Sequence, residues 1–170
     1  ASENRTIKIA GTDLDIHVIN QALMEINQAA PNLALSISLS HTDSIADLTS
    51  GKLDILITAF DVERPELVKQ PLLSSEYVVV SNKELLQGMS LDKYLSLPHL
   101  SFQLSNDQLS AVDIVLDKQQ LKRTIVMWVP TFQHALSILK KSDNEILLTL
   151  PKKVLGSNEQ ATENLFFYQP

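Results

Sequence analysis

The chain has 170 residues, 44% of them hydrophobic and 20% charged, with a formal net charge of −6 and no cysteine. That is the composition of a globular chain, long enough to bury roughly two thirds of its unfolded surface without covalent staples. It excludes disulfides and thiolate metal sites, and an acidic chain lacks the clustered Lys and Arg that grip a phosphate backbone.

No stretch reaches the roughly 18 to 20 apolar residues needed to cross a bilayer, and no basic-then-apolar leader is present. The first residues are Ala-Ser-Glu-Asn rather than Met, which reads as a fragment or a processed chain.

Arg5 to Ala10, RTIKIA, alternates and predicts a short strand. Gly11-Thr12-Asp13 interrupts it. Ile16, Ile19, Leu23, Ile26 and Ala30 then recur at spacings of three and four, which puts them on one helical face. Thr12 or Asp13 is the natural N-cap, and Pro31-Asn32 is the stop. Leu33 to Leu39, LALSISL, alternates large apolar residues with Ala and Ser, as in a sheet covered on both sides. His41-Thr42-Asp43-Ser44 caps a second, shorter helix through Leu48, which Gly51 ends. Asp54 to Phe60, DILITAF, is a continuous apolar run that predicts a buried parallel strand. Strand, helix, strand, helix, strand with right-handed crossovers makes a parallel α/β sheet.

From Leu67 the pattern changes. LVKQPLLSSEYVVVSN reads as two extended segments broken at Ser74-Ser75. A short helix after Met89, a break at Leu97-Pro98 and a strand follow. Ser110 to Lys118 predicts a helix and Ile125 to Val129 a strand. Phe132, Ala135, Leu136 and Leu139 mark the inner face of the next helix. Ile146 to Leu150 is another buried strand, and after a polar stretch the chain closes on the apolar run LFFYQ. The composition breaks near Ser74-Ser75 and from Ser157 to Asn164 divide the chain into two lobes, 1–75 plus 163–170 and 76–162. The fold class is α/β: two Rossmann-like lobes joined by two crossover strands, a plan that traps ligands between lobes.

Catalytic constellations are missing. His17, His41, His99 and His134 stand apart, with no metal-ligand spacing among them. There is no Gly-x-Ser-x-Gly elbow, and the glycines at 11, 51, 88 and 156 form no phosphate loop. Asp13 and Asp15 flank a helix start, where capping explains them better than acid–base work. Neither an enzyme nor a cofactor or metal is expected. What remains is a set of helix starts after strand ends: Thr12-Asp13, His41-Thr42, Gln103 to Ser105 and Pro130-Thr131-Phe132. In open parallel sheets ligands sit beyond the carboxyl ends of strands, where free N–H groups and hydroxyls wait.

The order of these segments resembles a known family. KIAGTDLDIHVINQALMEINQAAPNLALSISL is similar to the start of the effector-binding domain of LysR-type transcriptional regulators. DLTSGKLDILITAF, PLLSSEYVVVSN and LDKYLSLPHL follow in the family's order, and VPTFQHALSILKKSDNEILLTLPKKV is most like its NodD-like branch. The resemblance runs from Arg5 to Pro170. It implies a type 2 periplasmic-binding-protein-like fold and a small effector bound between the lobes, in a cytoplasmic homodimer or homotetramer. DNA would be contacted only through a winged helix-turn-helix domain that should precede Arg5 and is absent from this sequence; RNA polymerase is a further implied partner. Carried over by position, the effector-binding residues are Thr12 with Asp13, His41 or Thr42, Gln103, and Pro130, Thr131 and Phe132. The family continues beyond LFFYQP, so the first lobe reads as trimmed, and Asn144-Glu145 departs from the family's spacing. Cations are sparse at these positions, and Phe60, Phe102 and Phe132 favour an aromatic or amphipathic effector. A solute-binding protein of an ABC transporter, which shares the two-lobed plan, is the alternative.

Overall fold

The computed structural model describes residues 5–85, 88–102, 110–156 and 163–169. The chain forms two compact units, 1–72 and 73–170.

The first unit opens with β1 (Thr6–Gly11), then α1 (Asp13–Val18) and α2 (Asn20–Ala29), β2 (Ala34–Leu39), α3 (Ser44–Thr49) and β3 (Ile55–Leu56). Its three-stranded sheet has the order β2-β1-β3, with both pairings parallel. The core is Ile9, Ile19 and Leu23, packed with Ile7, Leu35 and Ile57. The single helix expected after Thr12 is two. The Ile19 amide donates to the Ile16 carbonyl at 3.2 Å, a three-residue turn that breaks the ladder while keeping Ile19 buried.

Two strands differ from expectation. Only Ile55 and Leu56 of the run 54–60 pair as strand. Ile37 and Leu39 are exposed on β2, although the alternation predicts a covered strand. The reason is sheet order: β1 is central and flanked on both sides, whereas β2 and β3 are edges. An apolar pattern does not encode which strand is central.

The second unit contains β4 (Tyr77–Ser81), α4 (Leu91–Ser96), β5 (Pro98–Phe102), α5 (Ala111–Lys118), β6 (Thr124–Val129), α6 (Phe132–Lys141), β7 (Leu147–Pro151), α7 (Lys152–Leu155) and β8 (Phe166–Tyr168). The sheet order is β6-β5-β7-β4-β8; β5 pairs in parallel with β6 and β7, and β4 is antiparallel to β7 and β8. Val79, Tyr94, Leu116 and Leu147 form a core cluster. Phe132, Ala135, Leu136 and Leu139 are the buried face of α6, as the spacing predicts.

The sequence places the closing run 163–170 with the first lobe. Its strand β8 instead pairs with β4, and the Tyr168 hydroxyl accepts the Leu85 amide at 2.6 Å. Phe166-Phe167-Tyr168 reaches an available edge of the second sheet, and the chain as described passes between units once.

Candidate functional site

In the first unit, β1 and β2 end side by side: Gly11 is opposite Leu39, and the Ser40 amide donates to the Gly11 carbonyl at 2.8 Å. Thr12 and His41 therefore emerge at the same carboxyl edge of the sheet. Gly11 permits this tight exit. A β-carbon there would lie 3.2 Å from Ile16 Cδ1 and 3.3 Å from the Ile57 carbonyl oxygen.

Thr12 caps α1 in a reciprocal box. Its hydroxyl accepts the Asp15 amide at 3.2 Å, while Asp15 Oδ2 accepts the Thr12 amide at 3.2 Å and the Thr12 hydroxyl at 2.7 Å. The hydroxyl proton is thus committed to Asp15, and what Thr12 can still offer a ligand is an acceptor lone pair. Burial raises the Asp15 carboxyl above its ordinary pKa, against the opposing hydrogen bonds from Thr12. Asp13 is the first residue of α1 and half-buried. The His41 amide donates to Ser44 Oγ at 2.8 Å, its Nδ1 accepts the Asp43 amide, and its Nε2 lies 3.4 Å from Asp47 Oδ2. Thr42 is exposed in the turn.

In the second unit, β5 and β6 end together, with Phe102 opposite Val129. Pro130 and Thr131 follow directly. Pro130 is exposed, and Thr131 is the N-cap of α6, its hydroxyl accepting the His134 amide at 3.2 Å and facing His134 Nδ1 at 3.4 Å. Phe132 is 4% exposed and packs in the core, so its ring positions the helix start rather than presenting a surface. Gln103 lies outside the described residues. The structure thus groups Thr12, Asp13, His41 and Thr42 at one strand-end edge, and Pro130 and Thr131 at another.

Two features escape a reading of the sequence. An open recess of about 800 Å³ lies in the second unit at the end of β7, lined by Ser74, Ser75, Glu76, Lys152, Lys153 and Gly156. Its lysines look like ordinary solvated residues in the sequence. The second is a buried ion pair, Arg123 with Asp113, joined at 2.7 Å from Nε to Oδ1 and at 3.0 Å from Nη2 to Oδ2. Burial alone would raise the Asp113 pKa. Hydrogen bonds from Arg123 and Ser110 and the charge of Arg123 outweigh it and hold the carboxyl below its ordinary range. The spacing Ser110-x-x-Asp113, a capping signature, was the only local signal.

Among the described residues, no three His, Asp or Glu side chains are placed to hold a metal ion. No described helix is long and apolar enough to cross a membrane.

The family model described as LysR substrate binding domain matches residues 1–143. The regulatory domain of MexT, a transcriptional activator in Pseudomonas aeruginosa, superposes with a TM-score of 0.82 at 21% identity, over 100% of this chain and 83% of that one. The BenM effector binding domain with its effector benzoate matches with a TM-score of 0.72 at 18% identity, over 99% of this chain and 78% of that one. Full-length BenM matches with a TM-score of 0.75 at 20% identity, over 99% of this chain and 57% of that one, so the chain spans little more than half of that protein. At such identities the structural likeness carries the fold alone.

Proposed function

This chain belongs to the family of LysR substrate binding domains, and from that premise we propose that it is the ligand-sensing and oligomerising part of a LysR-type transcriptional regulator. A small effector, held between the two lobes as the family resemblance implies, selects one of two conformations. Only its differential affinity for the two can shift them. The shift changes how a homodimer or homotetramer engages DNA through a winged helix-turn-helix domain, and through that RNA polymerase. The regulator works in the cytoplasm and catalyses nothing. The VPTFQHALSILKK element supports a place in the NodD-like branch.

The observation that carries the reading is the pairing of strand ends in each unit. Gly11 beside Leu39 delivers Thr12 and His41 to one edge, and Phe102 beside Val129 delivers Thr131 to another. Carboxyl ends of parallel strands are where open α/β sheets bind ligands. Half-buried Phe60 and Phe102 favour an effector with an apolar or aromatic body.

The test is a thermal-shift screen of a broad metabolite panel, followed by titration of any hit and by DNA binding of the full-length protein. A hit that raises the melting temperature and alters DNA binding is expected. No hit, together with a full-length protein that ignores the DNA upstream of its own gene, would sink the reading. A ligand bound without any DNA response would return the chain to the transporter alternative.

A further inference from the structure

We infer that Arg123 is a positioning residue for the ligand-facing edge of the second unit. The inference rests on the reading that the carboxyl ends of these strands serve the effector. The Arg123 side chain is 2% exposed. Beyond its two bonds to Asp113, its Nη1 donates to the Tyr94 hydroxyl at 3.3 Å, and its Nη2 reaches Ser101 Oγ at 3.4 Å and Ser110 Oγ at 3.3 Å. The Tyr94 hydroxyl continues the chain to Thr149 Oγ1 at 2.8 Å.

One guanidinium thereby ties four elements. Ser101 lies next to the last residue of β5, Ser110 caps α5, Tyr94 is on α4 and Thr149 is in β7. β5 and β7 run parallel with Leu100 opposite Leu148, so Ser101 and Thr149 each stand one step further along toward the carboxyl ends.

Cohesion alone does not call for such a group. A buried ion pair is on average no better than apolar residues of the same volume, because desolvation offsets the attraction. A planar fork with fixed donor directions does what apolar packing does not: it sets the spacing and orientation of its acceptors. Here those acceptors sit at the end of β5, on α4 and at the start of α5, and the Tyr94 hydroxyl carries the tie on to Thr149 in β7.

The test is residue-resolved amide hydrogen exchange of the ligand-free chain. It compares wild type with Arg123→Lys, which keeps the charge but loses the fork, and with Tyr94→Phe, which removes one hydroxyl. Exchange should rise about tenfold or more at Ser101, Phe102, residues 110–113 and Thr149, with the first unit and the β4–β8 pair unchanged. Exchange that rises evenly across the second unit in both variants would make Arg123 a general stabiliser, and exchange that rises nowhere would leave it no role; either overturns the inference. If Arg123→Lys does not fold, Tyr94→Phe decides alone. Effector titration is not needed, so failure of the sensing reading and failure of the positioning role show separately.

Discussion

The Nε2–H of His99 donates to the Tyr94 carbonyl at 2.7 Å, and the Tyr94 ring stands nearly edge-on to the imidazole at 4.5 Å between centroids. His99 is fully buried, and its Nδ1 has no hydrogen-bond partner among the described residues. Desolvation, reinforced by the Arg123 charge, lowers its pKa to about 4 against the pull of the Tyr94 carbonyl and Asp113.

The unfolded chain therefore binds a proton at His99 before the folded one does. That stability is present above the unfolded pKa of about 6.5 and is lost as the pH falls toward 4. The slope is at most roughly 1.4 kcal/mol per pH unit. Replacing His99 by Leu should lower stability at pH 7 by about 1 kcal/mol, the net value of one hydrogen bond. It should also flatten the profile between about pH 6.5 and 4, read by urea unfolding across that range. An unchanged slope would refute a neutral buried imidazole.

The pKa values of Asp113 and Asp15 should be displaced in opposite directions. The folded pKa of Asp113 is depressed, so its stabilisation is present above the unfolded value near 3.9 and is lost as the pH falls through the folded value. Asp15 is raised, so its contribution is greatest below the unfolded value and disappears as the pH rises through the folded one. Carboxyl carbon shifts followed by NMR should place Asp113 below, and Asp15 above, an ordinary aspartate. The reverse order would contradict both environments.

Breaking the Arg123 pair should cost more than replacing it. Asp113→Ala leaves a buried guanidinium uncompensated and should destabilise by about 3–5 kcal/mol. The double change Asp113→Leu with Arg123→Met should recover most of that loss, because two apolar groups remove both desolvation penalties. Denaturant midpoints of the single and double variants check this. A double variant as unstable as Asp113→Ala would show that the polar contacts themselves carry the stability.

Thr131 caps α6 and is proposed to face the effector, and one pair of substitutions separates the two. As the cap of α6 its hydroxyl receives the His134 amide, so Thr131→Val should cost about 1 kcal/mol of stability. Thr131→Ser retains the hydroxyl and should restore the cap. If the effector uses this oxygen, Val weakens its binding about tenfold or more while Ser keeps it near wild type. Equal effector affinity in all three proteins would leave Thr131 as a cap alone.

Much of this was legible in the sequence, for local reasons. The α6 face follows from the spacing of Phe132, Ala135, Leu136 and Leu139, and both threonine caps follow from hydroxyls placed before apolar periodicity. Such patterns are encoded within a few residues. What depends on partners far along the chain was not legible. Ile37 and Ile55 look like core until sheet order makes β2 and β3 edges. Arg123 stands beside Lys122 with no local signal of burial, and only folding brings it to Asp113, Tyr94 and Ser101. Thr12 is readable as a helix cap, but the commitment of its proton to Asp15 required geometry. Phe167 and its neighbours read as part of the first lobe but pair with β4 of the second sheet, because an apolar run does not name its partner strand.

The edge strands carry the last prediction. β6 bounds the five-stranded sheet and exposes Val126, Met127 and Trp128, the last by 59%. Its register to β5 slips at His99/Leu100, which leaves Val126 opposite no residue of β5. β2 bounds the smaller sheet and exposes Ile37 and Leu39. Unpaired backbone with large apolar side chains is what monomeric proteins avoid at sheet edges, with charges, proline or cover. Neither stretch has a charge or a proline. If the chain oligomerises as proposed, both edges are expected to be buried against a second copy. A standard interface removes about 800 Å² per partner, and a tryptophan at its centre contributes roughly 2 kcal/mol or more. Trp128→Glu should weaken self-association by about thirtyfold or more, and Ile37→Glu should weaken it in the same direction. Light scattering across a dilution series reads the mass of each variant. A wild-type chain that stays monomeric at the highest concentration, or a Trp128→Glu variant that associates as well as wild type, would take β6 out of the interface.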